Sequence, residues 1–213
     1  LPGGVYDPAT GQVRFTVEHF SKYAVAYRDV AFTDVGASFA KDYIAYLAAR
    51  DIIGGIGGGR FAPKANVTRA DFTLILARIS GVDLRSYSGS GGFADVKANA
   101  YYAAAVQWGT DKGVVSGTGN GRFDPQAFVT REQMAAMIVR FANAMDYELP
   151  IVANAAAFAD QDAIADYAAD AVAAVKQAGI IGGKPNNRFA PQDNATREEA
   201  AKMLSIFLQG MLQ

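Results

Sequence analysis

The sequence predicts a mainly α fold built from three helix-loop-helix repeats, with a short β-hairpin remnant at the N-terminus. Three observations carry that expectation. One Gly-rich loop pattern occurs three times in 213 residues, and each copy lies between two stretches of helical periodicity. Hydrophobic residues make up 51% of the chain, which argues for a buried core and against disorder.

Residues 1–30 stand outside the repeat. Tyr6-Asp7-Pro8-Ala9-Thr10-Gly11 is a turn cluster, and residues 12–17 and then 23–27 alternate with period two. These read as the tail and linker of an upstream β-rich module. The chain begins Leu1-Pro2-Gly3-Gly4 without an initiator Met, so it reads as a segment of a longer protein. His19, the sole histidine, falls in Thr16-Val17-Glu18-His19-Phe20 and is read as a half-exposed strand residue.

The repeats occupy residues 31–90, 91–150 and 151–213. Each opens with Phe-x-Asp: Phe32-Thr33-Asp34, Phe93-Ala94-Asp95 and Phe158-Ala159-Asp160. A helical pattern follows. In the first copy Phe39, Tyr43, Tyr46, Leu47 and Arg50 fall on one stripe; Tyr101, Val106 and Trp108, then Tyr167, Val172 and Val175, stand in the matching stretches. The helix ends at a Gly-rich loop that closes on Arg60-Phe61-Ala62-Pro63, Arg122-Phe123-Asp124-Pro125 or Arg188-Phe189-Ala190-Pro191. Glycine supplies positive φ there, and the Pro stops helix continuation.

A second helix starts at Thr68, Thr130 and Thr196. Asp71, Gln133 and Glu199 follow at capping-box spacing, with Asp71 the shorter and weaker partner. Its apolar face is Phe72, Ile75, Leu76 and Ile79, matched by Met134, Met137, Ile138 and Phe141, then Ala200, Met203, Leu204 and Phe207. One unit of about 55 residues is a marginal fold alone, so the three are expected to pack their stripes together.

Composition excludes several functions. Lys+Arg total 20 and Asp+Glu 21, giving a net charge of -1, so there is no basic excess for a nucleic acid. The apolar runs are too interrupted for membrane insertion. Cysteine is absent, which removes disulfides, thiolate metal sites and thiol catalysis. The loop at residues 54–63 has no Asp or Glu for calcium, and none of the loops ends in the Gly-Lys-Ser/Thr of a phosphate cradle. No metal or cofactor is expected. A glycan-active enzyme needs two carboxylates facing one bond, and threefold repetition offers no such asymmetric pair.

The Arg after each capping Thr is the most informative residue. A cation is mildly unfavourable at a helix N-terminus, yet Arg69, Arg131 and Arg197 recur there. Two explanations stand. One is an ion pair with Asp34, Asp95 or Asp160. The other is an anion held jointly by guanidinium and helix terminus. Arg60, Arg122 and Arg188 are read as solvated or structural. Phe61, Phe123 and Phe189 are read as core anchors. Trp108 is read as a core residue or a sugar-stacking ring.

These motifs resemble the S-layer homology family of bacterial cell-surface anchoring modules. Phe32-Thr33-Asp34-Val35, Ile52-Ile53-Gly54-Gly55, Phe61-Ala62-Pro63 and Thr68-Arg69-Ala70-Asp71 carry the likeness. So do residues 93–96, 113–117 and 130–133, then 179–183 and 196–199. Phe39, Tyr101 and Tyr167 stand near where that family often has Trp, and Pro185 interrupts the third loop. The resemblance implies a pseudo-threefold bundle with grooves between repeats, at the extracellular bacterial surface. It implies a non-catalytic module that binds secondary cell wall polymer, a cell-wall polysaccharide bearing pyruvate ketals on N-acetylmannosamine. Arg69, Arg131 and Arg197 would grip the carboxylate. Backbone near Gly55, Gly117 and Gly183, together with Ser116, would contact the sugar, and Trp108 would line a groove. On that reading Arg131→Ala lowers glycan affinity with helical content intact. The alternative is a protein-protein or self-assembly module with the arginines in structural ion pairs.

Overall fold

The computed structural model describes residues 5–7, 9, 10, 12–15, 28–152 and 156–212. Strand β1 (Val5–Asp7) pairs antiparallel with β2 (Gln12–Arg14), with Tyr6 opposite Val13. The hairpin thus closes across the predicted turn cluster. His19 and the alternating run at 23–27 lie outside the described residues.

Among the described residues six α-helices follow, two per repeat: α1 (Lys41–Ala48), α2 (Arg69–Ser80), α3 (Ala103–Asp111), α4 (Arg131–Ala144), α5 (Asp166–Gln177) and α6 (Arg197–Met211). Each first helix ends where one residue turns left-handed: Asp51 at φ 58°, Gly113 at 68° and Gly179 at 68°. That is the helix C-terminal position where glycine costs least. Thr68, Thr130 and Thr196 cap the second helices as expected. The full capping box forms in α4 and α6. In α2 the short Asp71 carboxylate instead accepts from the Thr68 hydroxyl at 2.8 Å.

Packing is between repeats. Helix α2 packs on α3, α4 on α5, and α6 returns to α1. At the centre three backbone bonds form a closed ring: Val67 N–H donates to Ala195 O (3.0 Å), Ala195 N–H to Val129 O (2.9 Å), and Val129 N–H to Val67 O (3.0 Å). The third repeat therefore meets the first as the others meet each other. Phe61, Phe72, Phe123, Phe141, Phe189 and Phe207 are among the largest fully buried side chains.

The stripe assigned to the first helix is shifted. Phe39 is 56% exposed, and the buried face is Ala40, Ile44, Leu47 and Ala48. Phe39 precedes α1, so helical spacing does not apply to it. Tyr101 and Tyr167 also stand outside, at 65% and 54%.

Candidate functional site

Each Phe-x-Asp motif builds the loop of its own repeat. The Asp34 carboxylate accepts the N–H groups of Phe61 and Ala62, both at 2.8 Å. Asp95 does the same for Phe123 and Asp124, and Asp160 for Phe189 and Ala190. The second residue of each pair is left-handed without being glycine: Ala62 at φ 58°, Asp124 at 54° and Ala190 at 56°. A two-pronged carboxylate clip offsets that strain. The Phe61 N–H, then the Ala62 N–H and Arg60, hold the Asp34 carboxyl below its usual range. For Asp95 and Asp160 burial pushes the other way, but the backbone bonds outweigh it. Arg60, Arg122 and Arg188 lie 3.6–3.7 Å from these same carboxylates and remain exposed.

The clips leave Asp34, Asp95 and Asp160 unavailable to the helix-start arginines, which corrects that proposed pairing. Arg69, Arg131 and Arg197 cross instead to the loop of the next repeat. Arg69 Nε donates to Phe123 O (2.9 Å), Arg131 Nε to Phe189 O (2.7 Å) and Arg197 Nε to Phe61 O (2.9 Å). Each guanidinium carbon also lies 4.4–5.2 Å from that Phe ring centroid. Arg69 Nη2 adds a bond to Ser116 O at 2.9 Å, and Arg197 Nη2 one to Gly54 O at 2.7 Å. Arg131 Nη1 goes to Glu199 Oε1 at 2.6 Å. Burial pulls the Arg69 and Arg197 guanidiniums below their ordinary range.

The first N–H groups of each second helix are already taken by protein acceptors, which leaves little of the expected helix-terminus donor set for an anion. Arg69 N–H and Ala70 N–H donate to Ala127 O and Pro125 O. Arg131 and Glu132 donate to Asp193 O and Pro191 O, and Arg197 and Glu198 to Ala65 O and Pro63 O. The capping Thr hydroxyl accepts the third N–H in each helix. What remains for a ligand is guanidinium: among the described residues no acceptor meets Nη1 of Arg69 or Arg197, or Nη2 of Arg131.

The predicted glycines divide by role. A Cβ on Gly55 would stand 2.5 Å from Arg60 O and 2.8 Å from the Phe32 ring. One on Gly117 would meet Arg122 O at 2.6 Å and the Phe93 ring at 2.7 Å, and one on Gly183 is tight at 3.3 Å. These glycines face the interior of their own loops. Gly117→Ala is therefore expected to lower stability by about 1–3 kcal/mol, measured by urea unfolding. Gly54 is different: a Cβ there meets nothing within 4 Å. Pro185 leaves the third loop closed, since Lys184 N–H still donates to Arg188 O at 2.7 Å.

Trp108 leaves the predicted site. It is 2% exposed, with its ring 6.1 Å from Phe141, because α3 turns that side toward the core. Sequence reasoning missed three groove residues. A cleft of about 240 Å³ opens between α6 and the first repeat, lined by Gly54, Gly55, Asp71, Arg78, Tyr101 and Arg197. The Tyr101 hydroxyl donates to Asp71 at 2.6 Å; burial first, then Asp71, push its pKa up to about 12, so it stays a neutral donor. In the sequence Asp71 carried only a capping signal and Tyr101 only a stripe signal, and Arg78 was not singled out at all.

This geometry, one loop clipped by Asp and gripped by a neighbour's Arg, recurs three times around the ring. The sequence profile of the S-layer homology domain matches over residues 31–73, 92–135 and 157–201. The chain belongs to the S-layer homology domain family. It is a cell-surface module. It is 37% identical to an amylopullulanase of Thermoanaerobacterium thermosulfurigenes over 97% of this chain and 11% of that protein. It is 26% identical to a cellulosome-anchoring protein of Acetivibrio thermocellus over 73% of this chain and 35% of that protein. A surface-layer 125 kDa protein of Lysinibacillus sphaericus is 39% identical over 51% of this chain and 9% of its own length. This S-layer homology chain thus spans about a tenth of the amylopullulanase. Among the described residues of the module, no helix is long and apolar enough to cross a membrane.

Proposed function

We propose that this chain is a non-catalytic anchoring module that binds secondary cell wall polymer in the grooves between its repeats. It would hold the polypeptide joined to it at the bacterial cell surface. The ligand is an acidic saccharide, a pyruvate ketal on N-acetylmannosamine, whose carboxylate matches a guanidinium fork. The observation that carries this reading is the Arg197 cleft. A partly buried cation keeps N–H groups there that the loop carbonyls do not use, beside the open face of Gly54 and a second cation, Arg78. Partial burial strengthens such a contact. The cellulosome-anchoring and surface-layer relatives support a wall-bound role for the family. Several weak grooves on one polymer would raise retention through effective concentration.

Gly54→Leu tests this, since its Cβ meets nothing within 4 Å and its carbonyl remains to accept from Arg197 Nη2. The expected result is wild-type sedimentation with polymer-bearing walls, loss of sedimentation with stripped walls, and a several-fold drop in retention for Gly54→Leu. Equal retention of the wild type on stripped walls would defeat the glycan reading and favour a protein partner.

A further inference from the structure

The three arginines match in sequence but differ in what they face. Position three after each capping Thr stands across a groove from the preceding repeat's Arg: Glu199 faces Arg131, Asp71 faces Arg197, and Gln133 holds the equivalent place for Arg69. Glu199 uses both carboxylate oxygens. Oε2 accepts the Thr196 N–H at 2.9 Å, completing the capping box, while Oε1 meets Arg131 Nη1 at 2.6 Å. The paired side chains are only 4% and 17% exposed. Lys184 Nζ stands 4.0 Å from the same Oε1 and 2.7 Å from Asp193. The other two grooves lack this lock. Asp71 is one methylene shorter and is held by the Thr68 and Tyr101 hydroxyls. No ion pair joins it to Arg197 among the described residues, and Gln133 carries no charge.

An incoming carboxylate could take Arg131 Nη1 only by displacing Glu199, and at Nη2 it would meet a guanidinium whose charge a part-buried carboxylate already matches. We infer that Glu199 shuts the Arg131 groove to acidic ligands, so that this chain binds them in the Arg69 and Arg197 grooves alone. The inference rests on the acidic-saccharide reading above and names the residue that decides which grooves serve it.

Calorimetric titration of the whole chain with N-acetylmannosamine carrying a pyruvate ketal tests it. The wild type should bind two equivalents. Glu199→Gln should bind three, because Gln keeps the capping box as Gln133 does in α4, where its Oε1 accepts the Thr130 N–H at 3.2 Å. Gln133→Glu should transfer the lock to Arg69 and leave one site. Three equivalents on the wild type, or two on Glu199→Gln, overturns the inference while the glycan reading stands. If Glu199→Gln does not fold, two equivalents on Gln133→Glu overturns it equally. No binding by any form overturns both readings.

Discussion

Arg131→Ala is expected to lower the unfolding free energy by about 3 kcal/mol, read from urea denaturation. The change removes the Nε bond to Phe189 O, the contact with the Phe189 ring and the nearer of two cations at Glu199 Oε1. Breaking a buried pair costs most through the partner left behind. The Thr196 N–H and the more distant Lys184 still compensate Glu199, which sets the loss at the lower end of the usual range. Adding Glu199→Gln to Arg131→Ala should recover part of the loss, and Arg131→Lys should not restore it, because an ammonium lacks the fork. A loss below about 1 kcal/mol would class the pair with surface ion pairs and remove the physical basis of the lock. On the sequence alone Arg131→Ala was a binding variant with an intact fold. The geometry makes it a stability variant as well, and on the proposed reading the binding effect belongs to Arg69 and Arg197.

Phe141→Ala should cost about 3–5 kcal/mol. The ring is fully buried, 6.1 Å from Trp108 on α3 and 5.5 Å from Phe207 on α6. Its loss opens a cavity walled by two repeats, and neither can close it without leaving the other. Trp108 is the only tryptophan, so fluorescence reports the second repeat while circular dichroism reports all six helices. Both probes should move together to lower urea. Separate transitions would show that the repeats unfold independently, contrary to a shared core.

The repeats, the second-helix starts and their caps were legible because they rest on local chemistry: a Thr hydroxyl, its partner three residues on, and an apolar face of helical period. The Arg partners were not. Their acceptors are main-chain carbonyls of Phe61, Phe123 and Phe189, and a carbonyl leaves no mark on residue identity. The Asp clips were missed for the same reason, since they close on backbone N–H groups. Gly55 and Gly117 read as open surface because a sequence does not say which way an absent Cβ would point; both face Phe rings of their own repeat. The difference between Asp71, Gln133 and Glu199 was visible, but only as capping strength. Its bearing on a groove requires knowing that the next repeat's helix start faces the previous Arg.

The ring of Val67, Val129 and Ala195 has no first or last member. The interior therefore carries no memory of where ribosomal synthesis began. A polypeptide opened between copies one and two, with its present ends joined by a tether like the existing ones, would have the same inside. The copies differ in side chains, some buried, such as Phe72, Met134 and Ala200 at matching places, and some on the rims, such as Glu199, while the backbone ring at the centre stays the same.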